Sequence, residues 1–311
     1  MKLRPEVNIE LHPAQALVFE SEANEILYGG AAGGGKSHLM RVAAIVWAMQ
    51  IPGLQVYLFR RNFPDLEFNH LSGPTSFHML LAPLIEKGWV KFKASKYEFE
   101  FWNNSKIHLC HCQKDEDRYK YLGAEMHVLL IDELSQFTPV VYNFLRTRVR
   151  MIGIDVPAGV KGAFPRIVCA SNPGGPCHQF MKATWVDVAR PMEVYQAAES
   201  EGGMIRQFIP AKIRDNPSLL KNDPGYMNRI RGLGDENLVK AYLDGDFSVV
   251  VGGLFDDLWS QHVHVVRPFA IPRSWYVDRA FDWGSSKPFS VGWFAESDGD
   301  APVVLGPKEY K

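Results

Sequence analysis

Between positions 25 and 41 the chain reads EILYGGAAGGGKSHLMR. Glycine loses more conformational freedom on folding than any other residue, so five of them beside one Lys-Ser pair need a reason. The apolar residues before the run predict a short buried strand over 26–28, and the residues after it predict a helix over about 37–49. Leu39, Val42, Ala43 and Val46 recur at helical spacing, and Ile51-Pro52-Gly53 ends the helix. Residues 30–37 fit G-x-x-x-x-G-K-[ST] in the strand-to-helix setting that defines a phosphate-binding loop, the Walker A pattern. Gly30, Gly33, Gly34 and Gly35 let backbone N–H groups curl toward a phosphate, and the helix N-terminus favours negative charge there. Lys36 is then expected to reach the β- and γ-phosphates of ATP, and Ser37 to ligate Mg²⁺. The bland alternative is a flexible glycine loop ahead of a helix.

Strands alternating with helices predict an α/β fold with a mainly parallel sheet, whose ligands lie at the carboxyl ends of the strands. A second buried strand is expected over 56–59, ending at Arg60-Arg61, and a helix over about 75–87. Residues 91–112 alternate apolar and polar around a turn at Asn103-Asn104-Ser105, which predicts a β-hairpin. Two continuous apolar runs, 128–131 and 167–170, read as central parallel strands covered on both faces. The first ends in Asp132-Glu133, a Walker B pattern. Asp132 is expected to hold Mg²⁺ directly or through water, and Glu133 to deprotonate the attacking water. A carboxylate base beside the metal carboxylate favours hydrolysis of ATP over storage of nucleotide. The second run ends in Ser171-Asn172, which either senses the γ-phosphate and lytic water or forms a Ser-Asn-Pro-Gly turn.

The chain has 311 residues, enough for one large or two ordinary domains, and a formal net charge of -1, so any nucleic-acid contact needs a local patch. Four cysteines form no disulfide framework at this length and suit a reducing compartment. The N-terminus has no apolar signal-peptide core, and no apolar run reaches membrane-spanning length, so no membrane association is expected.

Taken together, His12-Pro13-Ala14-Gln15, LYGGAAGGGKS, LFRRN, VLLIDEL, CASNPGG, AYLDGDF followed by GGLF, and AFDWGSS make the chain resemble the large terminase subunit of tailed bacteriophages. The pieces occur in that family's order along nearly the whole chain. The P-loop and Asp-Glu strand are common to many ATPases; the Asn-Pro-Gly segment, the Leu-x-Gly-Asp-Phe connector and the late Asp-Trp-Gly are more specific. The resemblance implies a RecA-like ASCE ATPase domain over 1–215, a helical connector over 216–270 with a hinge at Gly252-Gly253, and the beginning of an RNase H-like nuclease domain over 271–311. By the same resemblance Gln15 reads the adenine or braces the P-loop, Ser171 and Asn172 couple hydrolysis to movement, and Asp282 is the first nuclease metal carboxylate, for Mg²⁺ or Mn²⁺. The implied partners are double-stranded DNA, a portal protein, a small terminase subunit and further copies in a ring on the procapsid, in the host cytoplasm. After Asp282 only Glu296, Asp298, Asp300 and Glu309 remain, and none stands in the setting of the family's later acids, so the nuclease is expected to be incomplete. A helicase-like ATPase without a capsid role, or a nuclease or DNA-binding module with a nucleotide-sensing P-loop, are the alternatives.

A motor of this kind needs a cation to stabilise charge on the phosphates. Arg60, Arg61, Arg118, Arg146, Arg148 and Arg150 are candidates, and the resemblance favours Arg118 as a finger acting on a neighbouring subunit. Lys91, Lys93, Lys96 and Lys106 either contact DNA phosphates or belong to an ordinary half-buried hairpin. His108, Cys110, His111 and Cys112 lack a second ligand pair at zinc-finger spacing and read as a packed strand.

Overall fold

The apolar runs become the strands of one nine-stranded sheet in the computed structural model, which describes residues 7, 9–234, 236–249, 264–283 and 289–296. The chain divides into two units, Met1–Gly253 and Leu254–Lys311. In the first, α1 (Pro13–Glu20) leads into β1 (Glu25–Gly30), α2 (Lys36–Gln50) and β2 (Gln55–Arg60). There follow α3 (Phe63–Leu66), which continues into a π-helical turn over Glu67–Leu71, and α4 (Phe77–Glu86). Next come β3 (Val90–Lys93), β4 (Glu98–Phe101), β5 (Lys106–His111) and β6 (Val128–Asp132). The rest is α5 (Pro139–Arg146), β7 (Arg166–Ser171), α6 (His178–Met181), β8 (Val194–Gln196), β9 (Ile205–Ala211), α7 (Pro217–Asn222), α8 (Tyr226–Arg231) and α9 (Glu236–Asp244).

The strand order is β3-β4-β5-β2-β6-β7-β1-β9-β8. From β5 through β9 every neighbouring pair is parallel, while β4 and β8 run against their neighbours at the two edges. Side chains alternate faces along a strand, so a strand covered on both sides must be apolar throughout. That is how β6 and β7 are built. Val128, Leu130, Val168 and Ala170 join the core that contains Leu39, Ala43 and Trp47 of α2. Leu129, Ile131, Ile167 and Cys169 join the opposite core with Val141, Tyr142 and Leu145 of α5.

The expected hairpin forms between β4 and β5, with Phe99 opposite Ile107, and β3 adds a third strand through Val90 opposite Phe101. Strand β9, between β1 and the edge strand β8, carries Arg206 and Gln207 in its interior and left no apolar pattern to read. Both are buried because they have partners. Arg206 Nε donates to Glu25 Oε2 at 2.5 Å, and Gln207 accepts from the Ser21 hydroxyl at 2.6 Å. Glu25 is fully buried and also accepts from the Tyr142 hydroxyl and from Arg146 at 3.3 Å, which satisfies a charge that would otherwise be costly to bury.

The second unit contains β10 (Tyr276–Asp282) paired antiparallel with β11 (Ser290–Glu296). Asp282 is the last residue of β10, opposite Ser290, and Glu296 ends β11 opposite Tyr276. Gly252, Gly253, Asp298, Asp300 and Glu309 lie outside the described residues. Among the described residues no helix is long and apolar enough to cross a membrane.

His108 of β5 stacks on Tyr57 with ring centroids 4.3 Å apart and meets Gln55 Oε1 at 3.0 Å. Burial lowers its pKa to about 4, against the opposing pull of Glu98. A histidine depressed in the folded state costs nothing above its unfolded pKa near 6.5, and favours unfolding as pH falls below that value. Urea unfolding should therefore show stability falling from about pH 6.5 downward. His108→Gln should recover up to about 3 kcal/mol of that loss near pH 4.

Candidate active site

Strand order assembles the site. Because β7 lies between β1 and β6, the loop after β7 falls between the P-loop after β1 and the acidic pair ending β6. All three strands are parallel, so these loops share the sheet edge where α/β ligands bind.

Lys36 opens α2 and is only 6 % exposed. Its ammonium donates to Ala31 O at 2.6 Å and to Asn172 Oδ1. Burial pushes its pKa down, while Glu133 and Asp132 pull it back up. Gly35 caps α2 in the left-handed region at φ 72°, and a Cβ there would come 2.6 Å from Gln15 Nε2. Gln15 is itself buried, accepting from His12 N at 2.9 Å and donating to Gly35 O at 3.0 Å. Gln15 thus ties the start of α1 to the residue that caps α2.

Asp132 is fully buried. Arg60 Nε donates to its Oδ2 at 3.0 Å, and His70 Nε2 lies 3.0 Å from the same oxygen. Burial alone would raise the Asp132 pKa. The His70 hydrogen bond and the Arg60 charge outweigh it and hold the carboxyl below the usual range, with the Ser37 hydroxyl adding to the effect. The other oxygen, Oδ1, is buried with no hydrogen-bond partner among the described residues. An unpartnered buried carboxylate oxygen suits Mg²⁺, which keeps several waters and takes only one or two protein oxygens beside substrate phosphates. No group of three or more His, Cys, Asp or Glu that could hold a metal ion occurs among the described residues.

Glu133 sits at φ 60°, a left-handed conformation that costs a non-glycine residue ~1–3 kcal/mol. It turns the carboxylate off the strand axis and within reach of the Asn172 backbone N–H. Burial, reinforced by Asp132, raises the Glu133 pKa, which suits a base. Ser171 and Asn172 have separate positions. The buried Ser171 hydroxyl accepts from Ser135 N at 2.9 Å and donates to Asn172 O at 2.9 Å, tying β7 to the loop that follows Glu133. Asn172 reaches Lys36 with its side chain.

Residues between 211 and 245 hold the other side of the P-loop. Asn216 Nδ2 donates to Gly33 O at 2.7 Å, and Ala32 N donates to Tyr242 O at 2.7 Å. Gly34 lies over Ala211, with 3.3 Å left for a Cβ. Gly245, at φ +68°, lies against Gly30, and a Cβ on it would come 2.5 Å from Ala31 N and from Gly30 Cα. Phe247 is buried edge-on to Phe208 at 5.7 Å and stacked on His178 at 6.1 Å. Residues 243–247 thus form a wedge between β1, β9 and α6. The sequence signal was present, a lone glycine between two aspartates just before a phenylalanine, but nothing in one dimension says what it packs on.

The candidate arginines disperse. Arg60 belongs to Asp132, Arg61 pairs with Asp115 at 3.0 Å, Arg146 with Glu25, and Arg150 with Glu125 at 2.9 Å, while Arg148 donates to Leu122 O. Arg118 has no carboxylate partner among the described residues; it lies 4.3 Å over the Tyr119 ring and donates to Tyr119 Oη at 2.7 Å. The hairpin lysines Lys93 and Lys106 pair with Glu98 and Glu100. Cys110 and Cys112 are buried in the sheet's second core. Asp282 belongs to the second unit.

Gly245→Ala should force the wedge off the P-loop. The expected outcome is about 1–3 kcal/mol lower stability in urea. Nucleotide affinity should fall at least about tenfold by fluorescence titration, the equivalent of about 1.4 kcal/mol. Wild-type affinity in a folded variant would mean that the contact does not shape the loop.

No protein-family model and no curated protein matches the sequence. Solved structures do match. The large terminase of the thermophilic bacteriophage D6E, in complex with ADP, superposes with a TM-score of 0.58 at 19% identity over 93% of this chain and 66% of that one. The ATPase domain of the Thermus phage P74-26 large terminase matches at 0.51 and 13% identity, over 79% of this chain and all of that domain. The HK97 bacteriophage large terminase matches at 0.52 and 11% identity over 92% of this chain and 63% of that one. The chain spans just under two thirds of the two full-length terminases, D6E and HK97. It therefore has the α/β fold of the large terminase ATPase, with the P-loop, the acidic pair and Asn172 gathered on one edge of its sheet.

Proposed function

We propose that this chain hydrolyses ATP as the motor that drives double-stranded viral DNA into a procapsid. The observation that carries the reading is the convergence of Lys36, Asp132, Glu133 and Asn172 at one sheet edge of a large-terminase fold. The matched D6E terminase was solved with ADP and with ATP-gamma-S, which supports a nucleotide at the corresponding edge here. We read 1–215 as the ATPase domain, 216–270 as the connector and 271–311 as the beginning of an RNase H-like nuclease domain in which Asp282 is a metal carboxylate. Portal protein, small terminase subunit and further copies of the chain are the partners proposed with this function.

The chemistry follows from the residues. Backbone N–H groups of 33–37 and the N-terminus of α2 cradle the phosphates. Lys36 neutralises phosphate charge, and its present acceptors, Ala31 O and Asn172 Oδ1, mark where it can be handed between protein and substrate. Mg²⁺, held by Ser37 and the free oxygen of Asp132, would screen charge on the β- and γ-phosphates. Glu133 orients the attacking water and takes its proton. Asn172 touches Lys36 through its side chain and Glu133 through its backbone. A change in phosphate occupancy is thereby felt by the strand that carries it, which is a means of coupling hydrolysis to movement.

Glu133→Gln should keep nucleotide affinity within about threefold and reduce single-turnover hydrolysis by about 10²–10⁴. Lys36→Ala should lose both. Hydrolysis by Glu133→Gln at the parental rate would remove Glu133 as the base.

Arg118, free of any described carboxylate, is proposed as the finger that acts on a neighbouring copy. Turnover per chain should then rise steeply with protein concentration. Arg118→Ala should reduce the high-concentration rate about 10³-fold without altering nucleotide affinity. A rate per chain that is flat with concentration would remove catalysis across subunits.

A further inference from the structure

One buried titratable side chain in the site belongs to none of the sequence motifs. His70 lies on the π-helical turn Glu67–Leu71, and its side chain is fully buried. π-Helical turns are rare and often mark functional positions. Its Nε2 is 3.0 Å from Asp132 Oδ2, and its Nδ1 is 3.4 Å from Arg41 Nη1. Arg41 is a buried residue of α2, the helix that Lys36 opens, and is anchored by Asn69 O at 2.8 Å and the Thr75 hydroxyl at 2.9 Å.

We propose that His70 is a positioning residue that holds one oxygen of Asp132 so that the other is presented to the metal, and that ties this carboxylate to the P-loop helix through Arg41. The proposal rests on the reading of the site as an Mg²⁺-dependent nucleotide site.

The donor inventory assigns the ring's roles. A guanidinium only donates and an ionised carboxylate only accepts, so Nε2–H donates to Asp132 and Nδ1 accepts from Arg41. Arg60 Nε donates to the same Oδ2. Two donors on one oxygen orient the carboxylate and leave Oδ1 without a hydrogen-bond partner among the described residues. Were His70 only a filler, its contact with the Phe77 ring at 6.2 Å and its volume would suffice, and neither ring nitrogen would matter. Groups that orient a metal-holding residue commonly change metal affinity 10- to 100-fold when removed.

The test separates hydrogen bonding from volume. His70→Leu keeps bulk without a donor, and His70→Gln keeps an amide donor at similar reach. Binding of a fluorescent ADP analogue by the intact chain is titrated against Mg²⁺. His70→Leu should raise the Mg²⁺ midpoint about tenfold while Mg²⁺-free ADP affinity stays within about twofold, and His70→Gln should return the midpoint to within about threefold of wild type. An unchanged midpoint in folded His70→Leu, or equal losses in both variants, overturns the proposal. Should His70→Leu fail to fold, ¹⁵N NMR of the unaltered protein decides instead. The Nε2–H tautomer of the His70 ring, assigned by its disappearance in His70→Gln, supports the proposal; the Nδ1–H tautomer overturns it. ADP affinity that is indifferent to Lys36→Ala would instead overturn the nucleotide-site reading, and this proposal with it.

Discussion

A lysine ammonium buried at the end of a β-sheet sets the terms for what surrounds it. Lys36 cannot stay charged there unless acceptors and counter-charges replace the water it has lost. The fold supplies them from three strands: a carbonyl of its own loop, Asn172 from β7, and the fields of Asp132 and Glu133 from β6. Those two carboxylates raise a second problem, since two adjacent acids in a dry site repel each other. Arg60 and His70 settle it unequally. Both are directed at Asp132, which is held charged, while burial and its neighbour leave Glu133 inclined to take a proton. Two chemically similar residues, adjacent in sequence, are thereby given opposite dispositions.

The P-loop is held from both sides by parts of the chain far from it in sequence. Gln15 binds the carbonyl of Gly35 from one side, and Asn216 binds that of Gly33 from the other. Tyr242 takes an N–H of the loop, and Gly245 packs directly on Gly30. A loop rich in glycine would otherwise be free to leave the conformation in which its N–H groups converge, and these contacts offset that entropy. They also place residues 216–245 directly against the loop.

Much of the fold was legible because its central strands are covered on both faces. The runs at 128–131 and 167–170 had to be apolar at every position, and continuous runs ending in polar residues are easily read. Strand β9 was not legible, because Arg206 and Gln207 are buried in pairs with Glu25 and Ser21, residues some 180 positions away. Within the candidate site, Lys36 and Ser37 stood out by their spacing in the glycine loop, and Asp132 and Glu133 by ending an apolar run downstream of it. His70 and Arg41 were not. Nothing local marks a histidine in EFNHL or an arginine in KSHLMR as a partner of an aspartate on another strand.

The sequence by itself determined which residue types stand at strand ends and helix starts, because backbone geometry converts short spacings directly into local structure. Its glycine run matched a phosphate-loop pattern, its Asp-Glu pair ended an apolar strand, and its later motifs carried a likeness to the large terminases. Only the tertiary structure decided which of these residues meet. The insertion of β7 between β1 and β6 brings Asn172 to Lys36. The close approach of Gly245 to Gly30 sets the connector on the P-loop. The turn of His70 toward Asp132 engages one carboxylate oxygen and leaves the other without a partner among the described residues. Each is a contact between segments distant in sequence, fixed by strand order and burial.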